Sequence, residues 1–254
     1  MFKHYIIMSS AFTLGSRIAL HYIIKEDKDL SRVEEDIKFI EKNAVNDVHL
    51  SSHSLATDSE DWDSVVKKDG FFKHVKVIDD VKEFVKYIDD DKDLKGLDVA
   101  KYILSKIPCT HLKLEKLVYL AYADYLEKTN TRLFEDKIYA YKLGPVVKSV
   151  YSKYKKKKTM LFIEQEDDKT IVDEKRLFMP LRSRIMAAKD GSKKLFSIED
   201  TLKKYGSMND YDLVKLTHSK ESPWREAGGF SGFNPKLISD EIIYIYHKNE
   251  IIDY

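Results

Sequence analysis

The chain has 254 residues, of which 43% are hydrophobic and 34% are charged. Gly (9) and Pro (5) are scarce, and apolar residues recur throughout, which excludes a wholly disordered chain and allows one large or two small domains. A formal net charge of +1 excludes a strong overall attraction to nucleic acid or to an anionic membrane. A single Cys excludes an internal disulfide, and the apolar start is too short to span a bilayer, so we expect a soluble, cytoplasmic protein.

An acidic stretch over residues 89–96 predicts a boundary between a small mixed α/β unit (1–95) and a mainly helical region (96–254). Before it, runs rich in β-forming residues predict strands at 5–7, 48–50 and 74–78. Val33, Ile37 and Ile40 follow helical spacing with Ser31 as N-cap, and a second helix follows Asp79 or Asp80. Residues 51–70 show no period and predict a long loop.

After the boundary, the apolar spacing predicts a series of helices. Thr110 is expected to cap a long one, in which apolar residues from Leu114 to Tyr125 line a buried face. Residues 137–143 predict extended chain, and Pro145 is expected at the first turn of the next helix. Further helices are predicted within 173–189, from a capping box at Ser197 to Gly206, from Asp210 to a stop at Pro223, and after Ser239.

Several groupings invite a chemical interpretation. His49, His53 and His74 with Asp47 suggest a metal site, but a spacing of four residues aligns ligands only on a helix, so ordinary polar histidines are favoured. The acidic stretch at 58–63 places acidic residues as a calcium loop would, without the required Gly, so a solvated loop is favoured.

Cys109 precedes a helix and lies two residues before His111, which suggests a nucleophile. A catalytic Cys also needs a base and an oxyanion site brought in across space, so a small apolar residue is favoured. The glycines at 228–232 follow no predicted strand, and the chain contains no P-loop motif, so phosphate binding is disfavoured.

The lysines at 153 and 155–158 lie beside Tyr151 and Tyr154. Cations could neutralise phosphates while tyrosines stack on bases, which makes this run the best candidate for contact with nucleic acid. The same tyrosines belong to the apolar stripe of a predicted helix, and lysines at a helix C-terminus favourably oppose its dipole. Both interpretations remain open, and the neutral overall charge favours the solvated helix end.

Four sequence blocks occur in a specific order. They are DVAKYIL at 98–104, LKLEKLVYLA at 112–121, AYKLGPVV at 140–147 with Tyr151, and LVKLTHS at 213–219 with SPW at 222–224. Together they make residues 96–228 resemble the Panacea domain, an antitoxin domain also called SocA-like. Glu115 stands where Gln is common in that family, and the resemblance does not include residues 1–95.

The resemblance implies a mainly helical domain that forms the antidote half of a two-gene toxin–antitoxin system, often carried by phages and prophages. Such antitoxins neutralise a protein toxin by binding it, so the resemblance implies no enzyme activity, no cofactor and no metal. Within the blocks, the expected partner-binding residues are Lys113, Tyr119, His218 and Trp224. Each also has a structural interpretation, since Trp224 is a large anchor and His218 suits a buried hydrogen bond.

Residues 1–95, which the resemblance leaves out, are expected to contribute partner specificity. Two other classes of function stay open. One is a nucleic-acid-binding regulator that represses its own operon through Lys155, Lys156, Lys157 and Lys158, or a related phage-defence protein. The other is an enzyme centred in the N-terminal unit, whose candidates are His49, His53, Asp58, Glu60 and Asp61.

Overall fold

The computed structural model describes residues 1–44, 48–157, 159–162, 178–232 and 234–251, without the side chains of 178–180. The chain divides into two compact units. The first contains Met1–Lys92 and Ala187–Lys189, and the second contains the described residues from Asp93 onward apart from those three.

The first unit is built on a four-stranded sheet. Its strands are β1 (Phe2–Ala11), β2 (Ser16–Ile24), β3 (Ser51–Thr57) and β4 (Val75–Val77), in the order β3-β1-β2-β4. The central strand β1 runs antiparallel to both neighbours, with Ile7 opposite Leu20 on one side and Ser52 on the other. The short β4 runs parallel to β2.

Helices cover both faces of this sheet because its two central strands are apolar on both sides. These helices are α1 (Asp27–Asn43), α2 (Trp62–Lys68) and α3 (Val81–Asp89). Val33 of α1 and Phe84 of α3 pack with Ile7 and Leu20 on one face. Val65 of α2 and Phe72 pack with Ile6, Met8 and Ala19 on the other.

The expected mixed α/β architecture is confirmed for this unit, and several details of the prediction are wrong. Residues 51–70 are not a loop but contain β3 and α2, while 48–50 precede β3 instead of forming a strand. Helix α1 begins at Asp27, where Glu26 and Asp29 form a reciprocal capping box, and not after Ser31. Strand β3 was not predicted because it is rich in serine and has no apolar period of its own. Its backbone pairing with β1 is what makes it a strand.

The second unit is mainly helical and surrounds one central helix. Its helices are α4 (Gly96–Lys106), α5 (His111–Thr129), α6 (Lys148–Tyr154), α7 (Phe178–Met186), α8 (Gly191–Tyr205), α9 (Asp210–Thr217), α10 (Pro223–Glu226) and α11 (Asp240–Tyr246). A small antiparallel sheet of β5 (Ile138–Tyr141), β6 (Gly144–Val147) and β7 (Lys236–Ile238) has the order β6-β5-β7. A short 3-10 helix, His247–Glu250, follows α11.

Helix α5 is the centre of this unit, and its prediction is confirmed. Thr110 caps it by accepting a hydrogen bond from the backbone N of Lys113 at 3.1 Å, and Asn130 ends it in the left-handed conformation. Every residue from Leu114 to Leu126 is buried. A helix buried on all sides encloses its polar residues as well as its apolar ones, so those polar residues need partners within the protein.

Four boundaries in the second unit differ from the prediction. Pro145 lies in β6 rather than in a helix, because Ala140 of β5 pairs with it. Ser197 lies in the middle of α8, which begins at Gly191. Asn209, not Asp210, caps α9, and Pro223 begins α10 as well as following α9. Of the helix expected within 173–189, α7 forms part, and 173–177 lie outside the described residues.

Candidate functional site

The interior of the second unit contains a group of ionisable side chains around α5, which we call the α5 polar core. It consists of Glu115, Lys116, Tyr119 and Asp124 on α5 and of His247 and Glu250 in the 3-10 helix that follows α11. All six side chains are buried. Charges in such surroundings are tolerated only when they are paired and hydrogen-bonded, so the partners of each one define what the core can do.

Lys116 secures the turn between β5 and β6. Its Nζ donates to the carbonyl oxygen of Pro145 at 2.6 Å. Gly144 reaches this turn with φ of +109°, and a Cβ added there would lie 2.9 Å from both Lys116 Nζ and Thr217 Oγ1. The Gly-Pro pair of the third sequence block therefore fits against the lysine of the second block, and only a glycine allows this approach.

Glu115 and Lys116 are adjacent in sequence and opposite in charge. Glu115 Oε2 accepts a hydrogen bond from the backbone N of Val147 at 3.3 Å. Burial raises the pKa of Glu115 and lowers the pKa of Lys116, and the neighbouring opposite charge partly offsets both shifts. Glu115 Oε1 is buried and accepts no hydrogen bond from the described residues. The pair is held by the fold at a cost in desolvation.

A second chain of hydrogen bonds joins α5 to the C-terminal 3-10 helix. His247 Nε2 lies 2.8 Å from Asp124 Oδ1, and His247 Nδ1 lies 2.9 Å from Glu250 Oε2. Tyr119 donates its hydroxyl proton to the same Glu250 oxygen at 2.7 Å, and Thr201 of α8 donates to Asp124 at 2.8 Å. The imidazole therefore lies between two buried carboxylates and ties the end of the chain to the central helix.

The charges and hydrogen bonds around His247 favour the protonated, positively charged form of its imidazole. Burial alone would lower the pKa of His247, but the hydrogen bonds and charges of Asp124 and Glu250 outweigh it and raise the pKa to about 9. Burial opposes ionisation of Asp124 too, yet its bonds to His247 and Thr201 hold its pKa below the usual value. Burial raises the pKa of Glu250 against the opposing effects of His247 and Tyr119.

His218 and Trp224 form a partly exposed contact beside the β5–β6 turn. Their ring centroids are 4.0 Å apart, and the indole N–H of Trp224 donates to the carbonyl oxygen of Tyr141 at 2.8 Å. His218 Nδ1 lies 2.7 Å from the carbonyl oxygen of Val214. Burial lowers the pKa of His218, so the ring is neutral near pH 7. The third and fourth sequence blocks thus meet at this contact.

The four predicted partner-binding residues occupy different surroundings. Lys113 is half-buried and its Nζ donates to the carbonyl oxygen of Gly206 at 2.7 Å, at the C-terminus of α8. Tyr119 is 0% exposed and bonded to Glu250. His218 and Trp224 are each part-exposed. Lys113, His218 and Trp224 therefore keep some accessible surface, whereas Tyr119 does not, and a role in partner binding stays a prediction for all four.

The lysine run continues from α6. Lys155 Nζ lies 5.3 Å from the ring centroid of Tyr151, and Lys153 Nζ lies 5.6 Å from that of Tyr154, which is buried. Tyr151 also packs on Tyr141, with ring centroids 5.0 Å apart. Lys158 lies outside the described residues. The rings face lysines and other rings of the protein itself, and contact of this run with nucleic acid stays a prediction.

Cys109, for which the sequence favours a small apolar residue over a nucleophile, does not have the properties of a reactive thiol. Cys109 is buried and its backbone forms a β-bridge with Leu161. Burial raises the pKa of the Cys109 thiol to about 12, because it outweighs the nearby positive charge of Lys113, which would lower this pKa. The thiol is therefore protonated at neutral pH, and Cys109 behaves as a small apolar residue.

In the first unit, the candidate metal ligands do not converge. His49 and His74 are exposed, His53 packs on Phe71 and Phe72, and Asp47 lies outside the described residues. Within the part of the chain that the structure describes, no three His, Cys, Asp or Glu side chains are placed to hold one ion.

The acidic candidates at 58–63 have local partners. Glu60 pairs with Lys25 at 2.5 Å, and Asp61 accepts a hydrogen bond from Ser59 at 2.6 Å. These contacts bind the stretch to its own unit.

Sequence reasoning missed one histidine pair in this unit. His4 and His21 stack with centroids 5.0 Å apart, and His4 Nδ1 lies 2.8 Å from His21 Nε2. His4 also reaches Thr57 Oγ1 at 2.7 Å. Burial, together with the neighbouring His4, lowers the pKa of His21 to about 4, so the two rings are neutral and share hydrogen bonds. Only the register of β1 on β2 reveals this pair.

Sequence reasoning also missed Asp124, His247 and Glu250. Asp124 lies within the part of α5 that has helical apolar spacing, and its own position shows no motif. His247 and Glu250 lie more than 120 residues further along the chain. The only available signal was therefore a charged residue in a segment predicted to be a buried helix.

Comparison with known families identifies part of the second unit. Residues 114–225 match the family model described as Antitoxin SocA-like, Panacea domain. The resemblance drawn from the sequence blocks is therefore confirmed over this stretch, which is less than half of the chain and begins after the first block. No curated protein and no solved structure matches the chain.

The matched stretch contains the α5 side of the polar core, while His247 and Glu250 lie beyond its end. Tyr119 and Asp124, inside the match, thus bond to Glu250 and His247 outside it, and Asp124 also accepts a hydrogen bond from Thr201 within the match. Among the described helices, none is both long and apolar enough to cross a bilayer.

Proposed function

We propose that this protein is an antitoxin that neutralises a protein toxin, encoded beside it, by direct non-covalent binding. The observation that carries the proposal is the match of residues 114–225 to the SocA-like antitoxin family. A toxin is inhibited in this way when the antitoxin covers or distorts its working surface, which takes an interface of about 1,600 Å² in total.

The α5 polar core supports a binding role. Its ionisable side chains are buried and bonded to one another or to backbone groups, as with Lys116 on Pro145 and His247 on Asp124. Such groups hold the domain in one conformation and do not reach a substrate from solvent. What remains available to a partner is the surface, including the part-exposed ring of Trp224 on His218.

We further propose that residues 1–95 contribute to the choice of toxin. They lie outside the Panacea match, and Met1–Lys92 belong to a compact unit with its own sheet and two apolar layers. A rigid unit of this kind can present a partner-specific surface while the matched domain stays unchanged.

The test is co-expression with the neighbouring gene. That gene product is expected to arrest growth alone, to be tolerated with this protein, and to co-purify with it at fixed stoichiometry. A neighbouring product that is harmless, or that stays toxic and unbound, would contradict the proposal.

A matched pair of variants tests the accessible contact. Trp224→Ala is expected to weaken toxin binding at least tenfold, whereas Tyr211→Ala, which removes a 76% exposed ring elsewhere on the unit, is expected to leave binding unchanged. Thermal unfolding of both variants separates lost binding from lost folding. Equal affinities for the two folded variants would remove Trp224 from the interface.

A further inference from the structure

Strand β3 forms an edge of the first sheet without the features that usually protect an edge. It is seven residues long, pairs with β1 along one side, and contains no charged residue and no Pro. Ser51, Ser52 and Ser54 are exposed. No backbone group of the described residues pairs with its outer side.

The opposite edge of the same sheet shows the contrast. Strand β4 has three residues, and Lys76 at its centre has an exposed ammonium group that donates to Tyr87. Short length and a lysine are the common means by which proteins prevent edge-to-edge association. One edge of this sheet is therefore protected. The other, about 23 Å long at roughly 3.3 Å per residue, offers a row of backbone donors and acceptors that no described residue pairs with.

We propose that β3 pairs with β3 of a second copy of this chain, antiparallel and around a two-fold axis at Ser54, to form a continuous eight-stranded sheet. The proposal does not depend on the proposed toxin binding. A two-fold contact requires that one surface be complementary to itself. In this register Ser54 faces Ser54, Ser52 faces Ala56, and His53 faces Leu55, so that no charge meets a like charge.

The two faces of β3 suit this pairing. On one face, Leu55 packs with the apolar layer under α2, and the His53 ring lies against Phe71, which is 47% exposed. A second copy would place its own Leu55 next to His53 and cover apolar surface that is now open to water. On the other face, Ser52, Ser54 and Ala56 are small and present no obstacle to a neighbouring strand.

The neutrality of the strand also favours a second copy over a charged partner segment. A strand from another protein would find no charged side chain on β3 to fix its direction or register. Self-pairing around a two-fold axis is antiparallel by symmetry, and an axis at Ser54, the centre of the strand, lets all seven residues pair. The same backbone donors and acceptors then supply the hydrogen bonds of the new ladder.

The experiment uses the 254-residue chain and introduces a charge at the axis. Sedimentation velocity at tens of micromolar is expected to show a dimer for the wild type. Ser54→Lys and Ser54→Glu each place like charges opposite each other, so each variant alone is expected to dissociate at least tenfold more readily. An equimolar mixture of the two variants pairs Lys with Glu and is expected to restore the dimer. Ser31→Lys, on an exposed position of α1, is the control and is expected to remain dimeric.

A wild type that is monomeric, single variants that dimerise as well as the wild type, or a mixture that stays monomeric would each overturn the proposal. Amide hydrogen exchange gives a second measurement on the unmodified protein. Outward-facing amides of residues 51–57 are expected to exchange slowly in the dimer and at least tenfold faster after dilution below its dissociation constant. Protection that appears only with the toxin present would assign the edge to a strand of the toxin and overturn the two-fold pairing.

Discussion

The imidazole of His247 lies 2.8 Å from the carboxylate of Asp124, across 123 residues of sequence, and both side chains are almost completely buried. The contact joins the last described turn of the chain to its central helix. Because Glu250 accepts from the other side of the same ring, the C-terminal segment is held by an ionic contact in the interior as well as by apolar packing.

Replacement of His247 tests the contribution of this contact to stability. His247→Gln leaves the carboxylates of Asp124 and Glu250 buried without a cation, and breaking a buried ion pair in this way costs about 3–5 kcal/mol. Urea unfolding monitored by circular dichroism measures the loss. Lys248→Ala, at the exposed neighbouring position, is expected to change the free energy of unfolding by less than about 0.5 kcal/mol. Equal effects of the two substitutions would contradict the ionic role of His247.

The pKa of His247 predicts an alkaline loss of stability. A histidine with a folded-state pKa of about 9 and an unfolded value near 6.5 binds its proton more tightly in the folded protein. Its contribution is therefore fully present below pH 6.5 and is lost as the pH rises through about 9, by on the order of 3 kcal/mol. The raised pKa of Glu250 also lowers stability as the pH rises, but this effect begins near its unfolded value of 4.5 and is separate from the alkaline loss.

Other buried groups titrate in the same range, so the measurement is the difference between wild type and His247→Gln at each pH. That difference is expected to be largest at pH 6 and to shrink toward pH 9.5. A difference that is constant from pH 6 to 9.5 would show that folding does not raise the pKa of His247.

Gly144 offers a test of the turn that meets Lys116. Gly144→Ala combines a left-handed φ with a Cβ placed 2.9 Å from Lys116 Nζ, and we expect it to destabilise the protein by about 2–4 kcal/mol. Gly232→Ala has a similar φ of +100° with open space around the Cβ, so it isolates the backbone term at about 1 kcal/mol. Thermal melts of the two variants should differ, and identical melts would exclude a steric role for the turn.

Asp91 in the first unit is expected to matter far more than its neighbour. Its carboxylate accepts hydrogen bonds from the backbone N atoms of Phe12 and Thr13 and from the Thr13 hydroxyl, each at 2.7 Å. Asp91→Ala is expected to cost about 2–3 kcal/mol, since bonds to a charged acceptor are strong. Asp90→Ala, which removes an exposed carboxylate, serves as the control in chemical denaturation. If Asp91→Ala lowers the free energy of unfolding by no more than Asp90→Ala does, Asp91 does not stabilise the turn between β1 and β2 that contains Phe12 and Thr13.

Cys109 should be chemically silent in the folded protein. With its pKa raised to about 12 and its side chain 1% exposed, it is expected not to react with a thiol reagent at pH 8 until the protein is unfolded. Absorbance after addition of Ellman's reagent, with and without denaturant, measures this directly. Ser31→Cys adds an exposed thiol as a positive control, and immediate modification of Cys109 itself would show that the site opens in solution.

The sequence alone determined the elements whose signals are local. Helix α5 was predictable because Thr110 supplies a cap and apolar residues repeat at helical spacing from Leu114 to Tyr125, about three turns. The order of the four blocks likewise resides in the sequence, and it was sufficient to indicate the family that residues 114–225 match. A regular period or a cap expresses short-range physics, so it can be seen before any tertiary contact is known.

The tertiary structure alone decided the strands at the edges and the polar core. Strand β3 has no apolar period and depends on β1 for its hydrogen bonds, and Pro145 becomes part of a strand because β5 lies beside it. Tyr119 and Glu250 are 131 residues apart, and nothing local indicates that the tyrosine donates a hydrogen bond to the glutamate. Buried charges are stable only with partners brought from distant parts of the chain, so their pairing is a property of the packed fold and not of any segment of the sequence.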